Sequence, residues 1–193
     1  MNLVIVDYKA GNVQSMLFAL ERLGVNATLS ADFETIKSAD KVIFPGVGEA
    51  SSAMAQLKIR NLDKLLPTLE QPFFGVCLGM QLLCQQSEEG DTEMLGIIPL
   101  PVKRFDIDLK VPHMGWNQLE KLESPLFEGI KEQEFVYYVH SYYVPLSDYT
   151  IARTSYSEPF SAALQYKNFY AAQFHPEKSG PAGSQILKNF LAL

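Results

Sequence analysis

The sequence predicts an α/β fold: an open, mainly parallel sheet flanked by helices, with an antiparallel extension in the second half. Three observations carry that prediction. Short β-branched runs punctuated by aspartate or glycine alternate with stretches of helical periodicity through the first half. Strand-like runs then follow one another with few helical intervals. No repeat, low-complexity tract or Gly/Ser linker interrupts the 193 residues, so a single domain spanning 1–193 is expected.

The elements follow in order. LVIV (Leu3 to Val6) reads as a buried strand closed by Asp7 and then Gly11. From Asn12 to Leu23 apolar residues fall near helical spacing, with Asn12 as N-cap and Gly24 as the stop. NATLS (Asn26 to Ser30) and KVIFPG (Lys41 to Gly46) repeat the strand pattern. EASSAMAQL and NLDKLLPTLE follow as helices, and PFFGV (Pro72 to Val76) is a strand running into a helix at Cys77, which places Cys84 mid-helix. Alternation of this kind gives parallel pairing with crossover helices on both faces. PVKRFD, EFVYYVHSYYVP, YTIARTSY, SAALQYK and FYAAQF then read as successive strands, and GSQILKNFLAL as the closing helix.

Composition narrows the function. The chain is 47% hydrophobic and 20% charged, as in ordinary globular proteins, and its net charge of −6 without a basic run argues against nucleic acid as a partner. The first apolar run is too short for a signal peptide or a membrane span, and no other stretch is long enough. A cytoplasmic protein with no membrane association is expected, its two cysteines reduced and not bonded to each other.

Those cysteines differ in their surroundings. Cys77 sits in G-V-C-L-G (Gly75 to Gly79), the strand-to-helix elbow of α/β hydrolases with sulfur in place of oxygen. A helix N-terminus there favours a thiolate, and Gln81, four residues on, shares the face of Cys77. A buried core thiol is the plainer reading of Cys77 taken alone. For Cys84, among Leu82, Leu83 and Gln85, core packing is the better reading.

A nucleophilic thiol needs a base, and the base an orienting group. Of three histidines, His175 in YAAQFHPEKSG has Glu177 two positions on. Pro176 biases His175 toward an extended backbone, in which residues two apart share a side. A surface His–Glu pair accounts for the motif equally well, and a zinc site lacks any paired ligand spacing. Donors for a developing oxyanion are expected from the backbone of Val47 or Gly48 in FPGVGEA, with Leu78 after the nucleophile; a plain Pro-Gly turn is the alternative.

P-G-V-G, G-V-C-L-G-M-Q and F-H-P-E-K-S-G, in this order and spacing, resemble the class I (triad) glutamine amidotransferases. VDYKAGN, VPHMGWN and YYVHSYY resemble in particular the glutaminase subunits of imidazole glycerol phosphate synthases; Lys9-Ala10 departs from the glycine expected after Asp7-Tyr8. The resemblance implies a flavodoxin-like fold, no cofactor and no metal. It implies L-glutamine as substrate, with Cys77 as nucleophile, His175 as acid and base, and Glu177 as its orienter. It assigns substrate contacts to Gly48, Gln81, Glu89, Ser141 and Tyr142. It also implies a heterodimer with a (β/α)₈-barrel cyclase subunit that receives the ammonia. Asn12, His113, Met114, Trp116 and Lys178 would lie at that interface, and the P-G-V-G loop would be unproductive until the partner binds. Glutaminases serving anthranilate, aminodeoxychorismate, pyridoxal phosphate, GMP or CTP synthesis remain alternatives, as does a non-catalytic thiol protein that reuses the elbow.

Overall fold

The computed structural model describes residues 1–9 and 13–193. Its elements run β1 (Leu3–Val6), α1 (Val13–Arg22), β2 (Ala27–Ser30), α2 (Phe33–Lys37), β3 (Lys41–Gly46), α3 (Ala50–Ile59), α4 (Leu62–Leu65), β4 (Phe73–Cys77) and α5 (Leu78–Leu82). The second half contains β5 (Gln86–Ser87), β6 (Thr92–Glu93), β7 (Pro101–Arg104), β8 (His113–Gln118), β9 (Phe135–His140) and β10 (Tyr142–Tyr143). It ends with β11 (Thr150–Tyr156), β12 (Glu158–Tyr166), β13 (Phe169–Ala172) and α6 (Gly180–Ala192).

The main sheet has the order β11-β12-β13-β4-β3-β1-β2. From β2 to β13 every pairing is parallel, and β12 and β11 add antiparallel strands at the far edge. The five parallel strands thus follow the 2-1-3-4-5 order of flavodoxin-like folds. Only part of the second half extends this sheet. Strands β8 and β9 pair as a separate antiparallel ribbon, and β10, β7, β5 and β6 make a small third sheet.

Alternate residues of the central strands feed two cores. Val4, Val6, Val42, Phe44 and Phe73 pack with Ala53, Met54 and Leu57 of α3 on one face. Leu3, Ile5, Ile43, Phe74 and Val76 pack with Met16 and Leu20 of α1 and with Ile186, Leu187 and Phe190 of α6 on the other. Burial on both faces explains why these strands read as unbroken apolar runs.

Several boundaries differ from expectation. Asn12, expected as an N-cap, lies outside the described residues, as does Ala10. Helix α2 was not expected; the Asp32 side chain accepts from the Thr35 N–H at 2.8 Å and nucleates it. Helix α5 has five residues, so Cys84 lies beyond its end and not mid-helix; it is fully buried, which matches the packing role. Both cysteines are free. Helix α6 starts three residues early, at Gly180. No helix among the described residues is long and apolar enough to cross a membrane.

Gly79 sets how closely α5 approaches the sheet. A Cβ there would lie 1.9 Å from the Phe44 carbonyl oxygen, which is backbone and cannot yield. Gly79→Ala is therefore expected to destabilise the fold by about 3 kcal/mol. Denaturant titration checks this, and a loss within experimental error of zero would contradict the packing account.

Candidate functional site

Three neighbouring strands, β3, β4 and β13, end at the same edge of the sheet. In register Gly46 lies opposite Cys77, and Val76 opposite Ala172. Their carboxyl ends therefore deliver the Pro45–Gly48 loop, Cys77 and the segment leading to His175 to one place. Open α/β sheets bind ligands at such ends.

Cys77 is the last residue of β4 and has φ 55°, ψ −111°, a conformation that L-residues rarely adopt. Strain of this kind costs about 1–3 kcal/mol and must be held by surrounding structure. Its sulfur lies 3.8 Å from the Val139 carbonyl and 3.8 Å from the Gln173 Nε2. The shortness of α5 leaves less helix dipole at the sulfur than the sequence suggested.

His175 Nδ1 and Glu177 Oε1 are 2.9 Å apart, with both side chains almost fully buried. The contact arises from a 3₁₀ turn over Pro176–Lys178, not from the extended backbone expected; His175 alone is extended. His175 is also fixed through its backbone. Its N–H donates to the Tyr137 carbonyl, and its carbonyl accepts from the Ser179 hydroxyl at 2.7 Å. Burial works against a charge on the ring. The Cys77 sulfur and the Glu177 carboxylate outweigh that burial and raise its pKa from 6.5 to about 10. Nε2 has no well-aligned hydrogen bond to any described residue, so the sulfur acts on it by charge and a loose contact. Catalytic hydrogen bonds are often slack before substrate binds.

A cavity of about 300 Å³ opens over these groups. Val47, Gly48 and Leu78 form one wall, and Ser141, Tyr142, Gln81 and Glu89 others. Gly48 has φ 101°, which frees its peptide to face the cavity. The buried Tyr8 hydroxyl donates to the Pro45 carbonyl at 2.9 Å and anchors the start of this loop. Gln81 is buried and donates to the Tyr142 carbonyl at 2.9 Å and to Gln173 Oε1 at 3.0 Å. Glu89 Oε2 accepts from the Ala50 N–H at 2.7 Å and so caps α3. Burial raises the Glu89 pKa, the Ala50 bond opposes that, and Glu49 adds to it. Among the described residues no group of three or more His, Cys, Asp or Glu is placed to hold a metal.

The β8–β9 ribbon has two faces. Met114 and Trp116 are 61% and 55% exposed, and Phe135, across from Gln118, is exposed beside them. Lys178 is exposed, its ammonium 5.9 Å from the centre of the Tyr137 ring. His113, expected at the same surface, instead faces inward and is buried. Alternation along the strand requires this, since Met114 next to it points out. Its ring stacks between Tyr138 and Tyr156. His113 Nδ1 lies 2.9 Å from His140 Nε2, and His140 Nδ1 lies 2.8 Å from the Tyr142 carbonyl. Burial lowers both pKa values, to about 4 and about 3. Asn12 lies outside the described residues.

Sequence reasoning missed Val139, His140 and Gln173. Period two in an extended segment, applied backward from His175, puts Gln173 on the side of His175.

The chain matches the family model "Glutamine amidotransferase class-I" over residues 4–193. It is 57% identical to the imidazole glycerol phosphate synthase subunit HisH of Bacteroides thetaiotaomicron, with 100% of both chains covered. Against the subunit of the same name from Yersinia pseudotuberculosis it is 46% identical, again over 100% of each. Among solved structures it resembles a glutamine amidotransferase at 20% identity with a TM-score of 0.77, covering 98% of this chain and 97% of that one. PurLQS from Thermotoga maritima aligns with a TM-score of 0.73 at 16% identity, covering 99% and 97%.

The His175 shift has a sign that can be measured. Its folded-state pKa lies above the ordinary 6.5, so the stabilisation it contributes is complete below pH 6.5 and is lost as pH rises through about 10. The melting-temperature gap between the wild type and His175→Gln is expected to narrow steadily across that window. A gap that stays constant or widens there would refute the coupling.

Proposed function

The chain belongs to the class I glutamine amidotransferase family, and on that premise we propose that it hydrolyses glutamine through Cys77, His175 and Glu177. Within the family it groups with the HisH subunits of imidazole glycerol phosphate synthase, and it is a glutaminase subunit of histidine biosynthesis. The observation that carries the site assignment is convergence. Cys77 and His175 come from neighbouring parallel strands and line one cavity, and the ring is paired to a buried carboxylate.

The Cys77 thiolate attacks the side-chain amide carbon of glutamine. Negative charge gathers on the former carbonyl oxygen, which the N–H groups of Leu78 and of the Val47–Gly48 segment receive. The His175 imidazolium gives its Nε2 proton to the nitrogen as the C–N bond breaks, and ammonia leaves. The neutral ring then takes a proton from water, which attacks the thioester; glutamate departs and the thiolate returns. Glu177 holds Nδ1–H throughout, which keeps Nε2 directed at the reacting atoms. Gln81, Glu89 and the Ser141–Tyr142 backbone hold the substrate. Glu89 suits the α-ammonium of glutamine, since a partly buried carboxylate pairs well with it.

Ammonia passes to a (β/α)₈-barrel cyclase subunit. The exposed Met114, Trp116 and Phe135 face of the β8–β9 ribbon, with Lys178 at its rim, is the docking surface. Large apolar anchors with a polar surround are the usual energetic centre of such interfaces. Val139 on the same ribbon lines the cavity, so the docking surface and one wall of the cavity share one element.

Two outcomes are expected. In the complex, Cys77→Ala abolishes glutamine-dependent synthesis and leaves synthesis from ammonium salts intact; loss of both in an assembled complex would contradict the assignment. Trp116→Ala weakens cyclase binding by about 2 kcal/mol or more, measured by calorimetry. Wild-type affinity in a folded variant would remove Trp116 from the interface.

A further inference from the structure

Gln173 is fully buried one residue beyond β13 and has no role in the mechanism above. A buried carboxamide is costly unless its polar atoms are paired, so its partners define what it is there to do. Its Oε1 accepts from Gln81 Nε2 at 3.0 Å, and its Nε2 lies 3.8 Å from the Cys77 sulfur.

The direction of these bonds is fixed by chemistry. The Tyr142 carbonyl can only accept. Gln81 must therefore present its NH₂ to that carbonyl, at 2.9 Å, and the same NH₂ reaches Gln173. Gln173 must then receive it with its oxygen, which turns its own NH₂ to the sulfur. The His140 Nδ1–H, 2.8 Å from the same Tyr142 carbonyl, holds that anchor from a second side.

Resting on the assignment of Cys77 as the nucleophile, we propose that Gln173 is a further residue of the nucleophile's site, its N–H held toward the sulfur by Gln81 to stabilise the anionic form. The two polar contacts of the sulfur act in opposite senses. The Val139 carbonyl at 3.8 Å can bond only the protonated thiol, whereas the Gln173 N–H bonds the thiolate better than the thiol. Loss of the proton thus exchanges a contact with Val139 for a stronger one with Gln173. Gln81 acquires a second task besides holding substrate: it sets the polarity of Gln173.

The test is the pH profile of Cys77 alkylation by iodoacetamide in the full chain, read by mass spectrometry of the Cys77 peptide. This readout does not depend on turnover. Gln173→Met keeps the volume and removes the N–H; it is expected to slow alkylation at neutral pH about tenfold and move the profile about one pH unit to the alkaline side. Gln173→Glu puts a charged acceptor against the sulfur and is expected to move it further. His175 and Tyr8, the other titratable groups acting on the sulfur, are unchanged in both. A folded Gln173→Met with a lower melting temperature but a wild-type profile would show packing alone and overturn the proposal. Should neither variant fold, the wild type decides. The Gln173 side-chain amide resonances should follow the Cys77 titration and lose that response in Cys77→Ala; resonances indifferent to Cys77 would also overturn it. A wild-type Cys77 that alkylates no faster than free cysteine would remove the nucleophile assignment as well, which separates the two failures.

Discussion

Everything at the site depends on how closely the turn after β4 lies against β3. The backbone of Gly79 meets the Phe44 carbonyl where no side chain fits. Cys77, two residues before it, holds a strained positive-φ conformation that tight packing of this kind must sustain. Cys77 and Leu78 thereby line the same cavity as Val47 and Gly48.

Burial then decides the electrostatics. Each charged or polar group around the sulfur is taken out of water and given a defined partner: His175 by Glu177, Gln173 by Gln81, Gln81 by the Tyr142 carbonyl. In such surroundings a pairing is worth far more than at the surface, and an unpaired atom costs correspondingly more. Among the described residues that line this site, His175 Nε2 and Glu177 Oε2 are buried without a hydrogen-bond partner, and both belong to the His175–Glu177 pair. In the proposed mechanism Nε2 is the atom from which the proton is given and to which it returns. The inner face of the β8–β9 ribbon is managed differently. There burial disfavours charge on His113 and His140 and lowers both pKa values, so they serve as neutral donors and acceptors.

Much of this was legible in the sequence, for physical reasons. Strands buried on both faces announce themselves as apolar runs, so β1, β3 and β4 were found almost to the residue. The G-x-C-x-G frame is visible because only small residues pass through the elbow. Two-residue strands such as β5 and β6 carry no period to detect. Helix α2 went unread although Asp32 and Thr35 spell an N-cap. The 3₁₀ turn that brings Glu177 to His175 could not be told from an extended segment by spacing, since both place them together. His113 was misassigned by treating a motif as one surface, when strand alternation sends neighbouring residues to opposite faces. Gln173 was passed over because a glutamine in an apolar run has no motif, although period two places it on the side of His175; its partners are visible only in three dimensions.

The central claim is that the sulfur of Cys77 becomes covalently bonded to substrate with His175 managing the protons. Acid-quenching the assembled synthase during glutamine turnover and mapping adducts by mass spectrometry tests it most directly. A glutamyl group on Cys77 of the wild type, lost in His175→Gln because departing ammonia then has no proton donor, is the predicted result. Glutamine consumption with Cys77 unmodified throughout, or with the adduct on another residue, would contradict the account.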